Sequence, residues 1–223
     1  MIRGRLITLE GGDGAGKTSQ LGLIRSLIRA RGVSLLETRE PGGTPLSEAI
    51  REWVLSGGAD PPDPVAELLL VFAARRQHWV RRIEPALESG TWVLCDRFVD
   101  STYAYQGSGR GLPWGWIETL EHWVLGPHGR PDLTLYFDTP VDQALARVRE
   151  RGHLNRIERE APDWHEHVRA GYRARLEEDP DRFIRVDAGL AREQVQAALE
   201  DALVRRFDTW QGNAPAPVGS GPG

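Results

Sequence analysis

The sequence predicts an α/β fold: a three-layer αβα domain in which helices flank a five-stranded parallel sheet. Three observations predict it. Five short apolar runs alternate with segments whose apolar residues recur at helical spacing. The first run leads directly into Gly11-Gly12-Asp13-Gly14-Ala15-Gly16-Lys17-Thr18, which fits a glycine, any four residues, then Gly-Lys-Ser/Thr: a P-loop. The 223 residues suffice for one such core, and no fixed-period repeat divides them.

Taken in order, Leu6 to Leu9 is rich in strand formers and is the first strand, followed after the glycines by a helix carrying Leu21, Ile24, Leu27 and Ile28. Gly32 stops that helix, and Val33 to Leu36 opens a second strand ending at Glu37-Thr38-Arg39-Glu40. Pro41-Gly42-Gly43 turns the chain into a short helix, one face of which is marked by Leu46, Ile50, Trp53 and Val54. After a loop from Ser56 to Pro64, Val65 to Leu87 reads as helix, with Pro85 expected to bend or interrupt it late. Gly90 closes it, and Thr91 to Cys95 is a third strand that delivers Asp96-Arg97 to its carboxyl end, where open parallel sheets put their ligands.

Ser101 to Gly111 mixes aromatics with three glycines and predicts a short helix unwinding into a loop. Trp114, Ile117, Leu120, Val124 and Leu125 mark the next helix, and Leu133 to Phe137 is the fourth strand. Thr139-Pro140-Val141-Asp142 predicts a helix start with a threonine cap, and that helix runs to about Arg149. Five arginines between Arg147 and Arg159, with Gly152 among them, predict an exposed, mobile stretch. Trp164, Val168, Tyr172 and Leu176 lie on another helix, Phe183 to Val186 forms the fifth strand, and Val195, Leu199, Ala202 and Leu203 face inward on the last helix. Residues 1–210 therefore read as a single domain with a lid at about 147–160, and residues 211–223 as a disordered tail of glycine, proline and alanine.

Composition narrows the function. Lys+Arg and Asp+Glu number 28 and 32 and are interleaved to a net charge of −4, which excludes a nucleic-acid backbone as the expected partner. The single cysteine, Cys95, cannot form an internal disulfide and reads as a buried small hydrophobe. No signal peptide and no apolar run long enough for a bilayer is found, so no membrane partner and a cytoplasmic location are expected.

The glycine-rich loop specifies the donor. Its backbone N–H groups surround phosphate oxygens of ATP, Lys17 reaches the β and γ phosphates, and the Thr18 hydroxyl is expected on Mg²⁺. Asp96 is a second candidate for holding that ion, through water. The acceptor follows from charge. A phosphate monoester, with a second pKa of about 6, is already a dianion and needs no base. ATP at about −4 and a monophosphate at about −2 meet only about +2 from one Mg²⁺, and arginine must supply the remainder. Arg39 and Arg97 at strand ends and the arginines of residues 147–159 qualify, which points to a nucleotide acceptor rather than a hydroxyl or water. A kinase for another nucleoside monophosphate or for a deoxynucleoside shares this logic. A nucleotide-dependent switch would need a guanine-reading Asn/Thr-Lys-x-Asp segment, and none is present.

The chain resembles the bacterial thymidylate kinases through Glu10 to Thr18, Thr38-Arg39-Glu40-Pro41-Gly42-Gly43-Thr44, Asp96-Arg97-Phe98, Ala104-Tyr105-Gln106-Gly107 and Arg151-Gly152-His153-Leu154-Asn155-Arg156-Ile157-Glu158. The resemblance spans residues 5 to about 207 and implies transfer of the γ-phosphate of ATP to dTMP, giving dTDP, in a homodimeric enzyme. It puts Asp13 beside the sugar and the transferred phosphate, and Arg97 on the acceptor phosphate with Ser101 near it. Thr102 faces the thymine, Tyr105 crowds the sugar C2′ and Gln106 shares that wall, while Arg39, Glu40 and Pro41 line the nucleoside side. Arg156, helped by Arg151, is the lid arginine that reaches the phosphates. Some members carry an arginine inside the phosphate loop where this chain has Gly14, so the lid supplies the charge. The family also stacks a phenylalanine on thymine four residues before a base-reading arginine; here Phe72 is three before Arg75 and four before Arg76, leaving Val71 or Phe72 for the base.

Overall fold

The computed structural model describes residues 3–210 and Gly212. The tail expected over residues 211–223 lies, apart from Gly212, outside the described residues. Strand β1 (Leu6–Glu10) is buried along its whole length, the signature of a central strand covered on both faces. It pairs in parallel with β3 (Trp92–Asp96) on one side and β4 (Leu133–Asp138) on the other. Strands β2 (Leu35–Arg39) and β5 (Phe183–Asp187) complete the described five-stranded sheet, in the order β2-β3-β1-β4-β5. The connection leaving β1 runs toward β2 and the one leaving β3 runs toward β4. The crevice beyond their carboxyl ends is thus the topological switch point.

Strand periodicity divides the core into the predicted layers. Ile7 and Leu9 pack with Ile24 and Ile28 of α1 (Lys17–Arg29) and with Leu199, Leu203 and Phe207 of α9 (Arg192–Trp210). On the other face Leu6 meets Phe72 of α3 (Pro64–His78) and Ile117 of α6 (Trp114–Leu125). Thr8 and Glu10 share that second side. A third cluster joins Tyr105 and Tyr136 to Trp164, Val168 and Tyr172 of α8 (Pro162–Glu178).

Several local expectations are corrected. On α2 (Pro45–Ser56) Val54 is buried, but Leu46 and Trp53 are 54% and 55% exposed, because the face turned inward is that of Ser47, whose hydroxyl donates to the Ala74 carbonyl at 2.9 Å. The long helix does break near Pro85. A π-helical stretch over Trp79–Ile83 widens the turn ahead of it and the chain resumes as α4 (Glu84–Glu88), which accommodates a ring that lacks an N–H and crowds the preceding carbonyls. Residues 101–111 do not unwind as expected: α5 (Val99–Thr102) continues into a π-helical stretch, Tyr103–Gly109. The glycines there serve close approach, since a Cβ on Gly107 would lie 2.6 Å from the Trp114 indole nitrogen and one on Gly109 2.9 Å from the Trp164 ring. The threonine cap is not made. Pro140 occupies the cap of α7 (Val141–Glu150), and the Thr139 hydroxyl donates instead to the Ala15 carbonyl at 3.4 Å, tying β4 to the glycine-rich loop.

One buried charge cluster fastens the third layer. Asp100, fully buried, accepts two bonds from Arg182, at 2.7 and 2.9 Å, and one from Arg175 at 3.0 Å. Burial opposes its ionisation, but the two guanidiniums outweigh burial and hold its pKa down at about 2. An unfolded aspartate titrates near 3.8, so the ionised group stabilises the fold above that pH, and the contribution is lost as pH falls toward about 2. Asp100→Asn leaves two guanidiniums without their carboxylate and is expected to lower the unfolding free energy by about 3–5 kcal/mol. Denaturant titration at pH 7 measures this; a loss below about 1 kcal/mol would assign the pair no structural weight.

Candidate active site

The crevice at the sheet's carboxyl edge is an open cleft of about 1140 Å³, bounded by the glycine-rich loop, the corner after β3, α2 and the segment after α7. At its loop end, α1 begins with Gly16 in a left-handed conformation, with no side-chain cap and no acidic residue in the first turn, so its N-terminal amides are open to an anion. Lys17 is buried against the loop, donating to the Gly11 carbonyl at 3.2 Å, and stands 4.0 Å from Asp96. Burial and then the neighbouring Arg97 charge push its pKa down to about 8, against the pull of Asp96, Asp13 and Glu10. Asp96 keeps one buried oxygen, Oδ1, without a hydrogen-bond partner among the described residues, and the exposed Thr18 lines the same cleft. A carboxylate and a hydroxyl are the hard oxygen donors that fit Mg²⁺, which otherwise keeps water and phosphate ligands.

Gly14 is required by packing. Its backbone is left-handed, φ 78°, and a Cβ there would collide with the Ala144 carbonyl and come within 2.9 Å of Val148 on α7. The space of a loop side chain is filled by that helix, from which Arg147 donates to the Gly14 carbonyl at 3.4 Å.

Arg97 joins this loop to the far end of the cleft. Its backbone is also left-handed, φ 68°, and its side chain donates to the Gly11 carbonyl at 2.7 Å, Asp13 at 2.8 Å and the Tyr172 hydroxyl at 3.1 Å. Asp13 accepts a second bond from the Tyr105 hydroxyl at 2.9 Å, and the Arg97 guanidinium lies 4.9 Å from the Tyr105 ring centre. Burial opposes ionisation of Asp13, but Arg97 and Lys17 outweigh it and hold the carboxyl below the usual range.

Arg75 is buried, with its guanidinium 4.9 Å from the Phe72 ring, and its donors are distributed to Glu40 at 2.7 Å, Thr102 at 2.9 Å and the Phe98 carbonyl at 3.1 Å. Glu40 also meets His78 at 3.0 Å. Ser101 donates to Glu10 at 2.6 Å, and Gln106 donates to Glu67 at 2.8 Å. Glu40, Pro41, Arg75, Ser101, Thr102, Tyr105 and Gln106 therefore share the cleft wall. Two expected residues do not. Phe72 belongs to the core below Arg75, and the wall carries Val71, because the helix turn that points Arg75 into the cleft turns residue 72 toward the sheet. Arg39 stands outside, 54% exposed and paired with Glu48 at 2.9 Å, since the strand alternation that brings Thr38 in turns it out.

The segment over 151–159, expected to be exposed, is anchored at one end: Ile157 and Glu158 are buried. Arg156 bonds Glu67 and, at 2.9 Å, the Val54 carbonyl at the end of α2, while Arg151 pairs with Glu158. Two residues on the cleft side were not anticipated from the sequence. Arg51 lines the cleft and donates to the Pro41 carbonyl at 3.0 Å; burial and the charges of Arg39 and Arg97 lower its pKa. Glu67, fully buried, gathers Gln106, Arg110 and Arg156. Arg51 had a signal in its place on α2, the helix that follows the Pro41-Gly42-Gly43 turn; Glu67 had none, because only the fold brings its partners together.

The chain matches the family model described as thymidylate kinase over residues 9–199. It is 50% identical to a thymidylate kinase of Teredinibacter turnerae over 202 residues, 91% of this chain and 98% of that protein. It is likewise 50% identical to one of Alkalilimnicola ehrlichii over 211 residues, 94% and 97% of the two chains. The crystal structure of thymidylate kinase from Ehrlichia chaffeensis superposes with a TM-score of 0.72 at 32% identity, covering 90% of this chain and 99% of that one.

The exchange of Arg39 for Arg51 is testable. Arg51→Met is expected to raise the KM for a nucleoside monophosphate acceptor about tenfold or more, as loss of a charge-assisted hydrogen bond would, and Arg39→Met to change it by less than about twofold. Steady-state kinetics on both variants measure this; the reverse order would return Arg39 to the site.

Proposed function

The chain belongs to the thymidylate kinase family, whose reaction is the ATP-dependent phosphorylation of dTMP to dTDP, and we propose that it performs this transfer by closing arginines over two phosphates held side by side. The observation that carries the reading is the junction at Arg97, bonded to the glycine-rich loop through Gly11 and Asp13 and, through the buried Tyr172 hydroxyl, linked to Ser101 of the acceptor wall. Donor and acceptor phosphates meeting there need no general base, since the dTMP phosphate is already a dianion.

In this reading the loop amides and Lys17 hold the β and γ phosphates, and Arg97 with Arg51 holds the acceptor phosphate in line. Thr18 and Asp96 would hold Mg²⁺, which would supply positive charge to offset that of the donor phosphates. Thr102 and Gln106 flank the base, and Tyr105, locked by its bond to Asp13, narrows the sugar side against a ribose hydroxyl. Arg156 exchanges Glu67 and the Val54 carbonyl for phosphate oxygens as the transition state forms, with Arg151 beside it. Residues 1–210 act as one domain with its lid at about 147–160.

We further infer a homodimer working in the cytoplasm. Leu69 on α3 and Trp116 and Trp123 on α6 are 53%, 52% and 76% exposed on adjacent helices, an apolar face that a second copy would cover. No described helix is long and apolar enough to cross a membrane, and Cys95 is buried with its thiol pushed up by burial.

Three measurements test these statements. ADP release in a coupled assay is expected to be fastest with dTMP among the nucleoside monophosphates; faster turnover with AMP or CMP would overturn the acceptor assignment. Arg156→Ala should lower kcat on the order of 10³-fold with the KM for dTMP nearly unchanged, whereas a loss confined to KM would remove it from the transition state. Sedimentation is expected to give a dimer that Trp123→Glu shifts to monomer, and a monomeric unmodified protein would contradict the interface.

A further inference from the structure

Beneath the catalytic cleft, Glu10 is fully buried at the end of β1 and touches neither donor nor acceptor side of the cavity. Its partners are nonetheless the supports of Arg97. One oxygen, Oε1, accepts the backbone N–H of Phe98 at 2.7 Å, the amide that follows the left-handed Arg97 corner. The other, Oε2, accepts the Ser101 hydroxyl at 2.6 Å and the Tyr172 hydroxyl at 3.0 Å. Those two hydroxyl oxygens in turn face Arg97 Nη1, at 3.5 and 3.1 Å. Every group pointing at Glu10 is a donor, which suits an ionised carboxylate, an acceptor on all sides.

We propose that Glu10 is a positioning residue for Arg97: by accepting both hydroxyl protons it turns the Ser101 and Tyr172 lone pairs toward the guanidinium and pins the strained Arg97 corner through the Phe98 amide. The inference rests on the acceptor-phosphate role given to Arg97 above. Polarity is the essence of it. A glutamine in this place that keeps its oxygen on the Phe98 amide must present its NH₂ to the hydroxyls, which then direct their own hydrogens at Arg97. Donor then meets donor, and the guanidinium leaves its seat at nearly constant side-chain volume.

The charged surroundings make this support sensitive to protons. Burial first, then Asp100 on α5, raise the Glu10 pKa to about 7, opposed by the Ser101 hydrogen bond, Arg97 and the Phe98 amide; Lys17, Tyr105 and Tyr172 face the same pocket. As pH falls through about 7, a proton on Glu10 introduces a donor among donors, so support for Arg97 is present on the alkaline side and fades on the acid side.

A double-mutant cycle with the full chain tests the proposal, using dTMP and ATP as substrates. Glu10→Gln is expected to lower kcat/KM for dTMP by about 10- to 100-fold while the KM for ATP stays within about twofold, the size of effect expected when a reacting group is misplaced. Tyr172→Phe, which removes one relay hydroxyl and leaves Glu10 intact, should lower it by about tenfold or less in the same pattern. On an Arg97→Ala background Glu10→Gln should cost nothing further, and in the Glu10→Gln enzyme the acid limb near pH 7 should give way to the substrate's own ionisation near about 6. Equal losses on both backgrounds, or an ATP KM that rises as much as that for dTMP, would overturn the positioning role. An Arg97→Ala enzyme with unaltered dTMP kinetics would overturn the acceptor reading itself, and this inference with it.

Discussion

The ion pair of Arg97 with Asp13, at 2.8 Å, is the contact on which the cleft depends. It connects the glycine-rich loop, which follows β1, to the corner that follows β3, and so carries the adjacency of two strands into the cleft beyond them. A parallel sheet supplies such corners at its carboxyl edge whatever the ligand. What the sequence adds is a residue at that corner able to bond both sides, and a left-handed backbone that aims it there.

The same pair balances charge in a place that must later receive much more of the opposite sign. Lys17 and Arg97 repel each other, and the carboxylates of Asp13, Asp96 and Glu10 keep both cations in the cleft. Among the described residues Asp96 keeps a buried oxygen without a partner, and burial, with Asp100 behind it, raises the pKa of Glu10 to about 7. An anion entering such a site meets cations already desolvated and oriented, which is the condition for electrostatic stabilisation without reorganisation.

Much of this was legible in the sequence because it is local. The strand runs, the glycine-rich loop and the Asp96-Arg97 corner each follow from a few consecutive residues, and all five strands fall within two residues of their expected bounds. Where judgement depended on which way a helix faces, the sequence misled. Leu46 and Trp53 are apolar but point outward because Ser47 finds a carbonyl inward, and Phe72 is drawn into the core while Val71 takes the cleft. The threonine cap failed for a related reason: the helix starts one residue later, at a Pro140 cap, and the Thr139 side chain is turned to the glycine-rich loop, donating to the carbonyl of Ala15, 124 positions away. Arg39 against Arg51 was a question of one strand's alternation against the neighbouring helix, and only tertiary packing decides it.

Glu67 bears on how Arg156, in the lid role proposed for it, could be both anchored and releasable. Its carboxylate is buried, so removing its sole counter-charge would cost several kcal/mol. It has two cationic partners, however. In the proposed closure, with Arg156 moved toward the phosphates, Arg110 at 3.4 Å and the Gln106 amide at 2.8 Å would remain. Arg110 is itself fixed by Glu160 at 2.5 Å and lies 5.1 Å from the Trp164 ring centre, so it stays in place. The carboxylate keeps one guanidinium throughout, and the cost of lifting Arg156 falls to that of exchanging hydrogen bonds. Because Gln106 stands in the acceptor wall, the group that releases the lid is also bonded to the surface against which the acceptor nucleotide would rest.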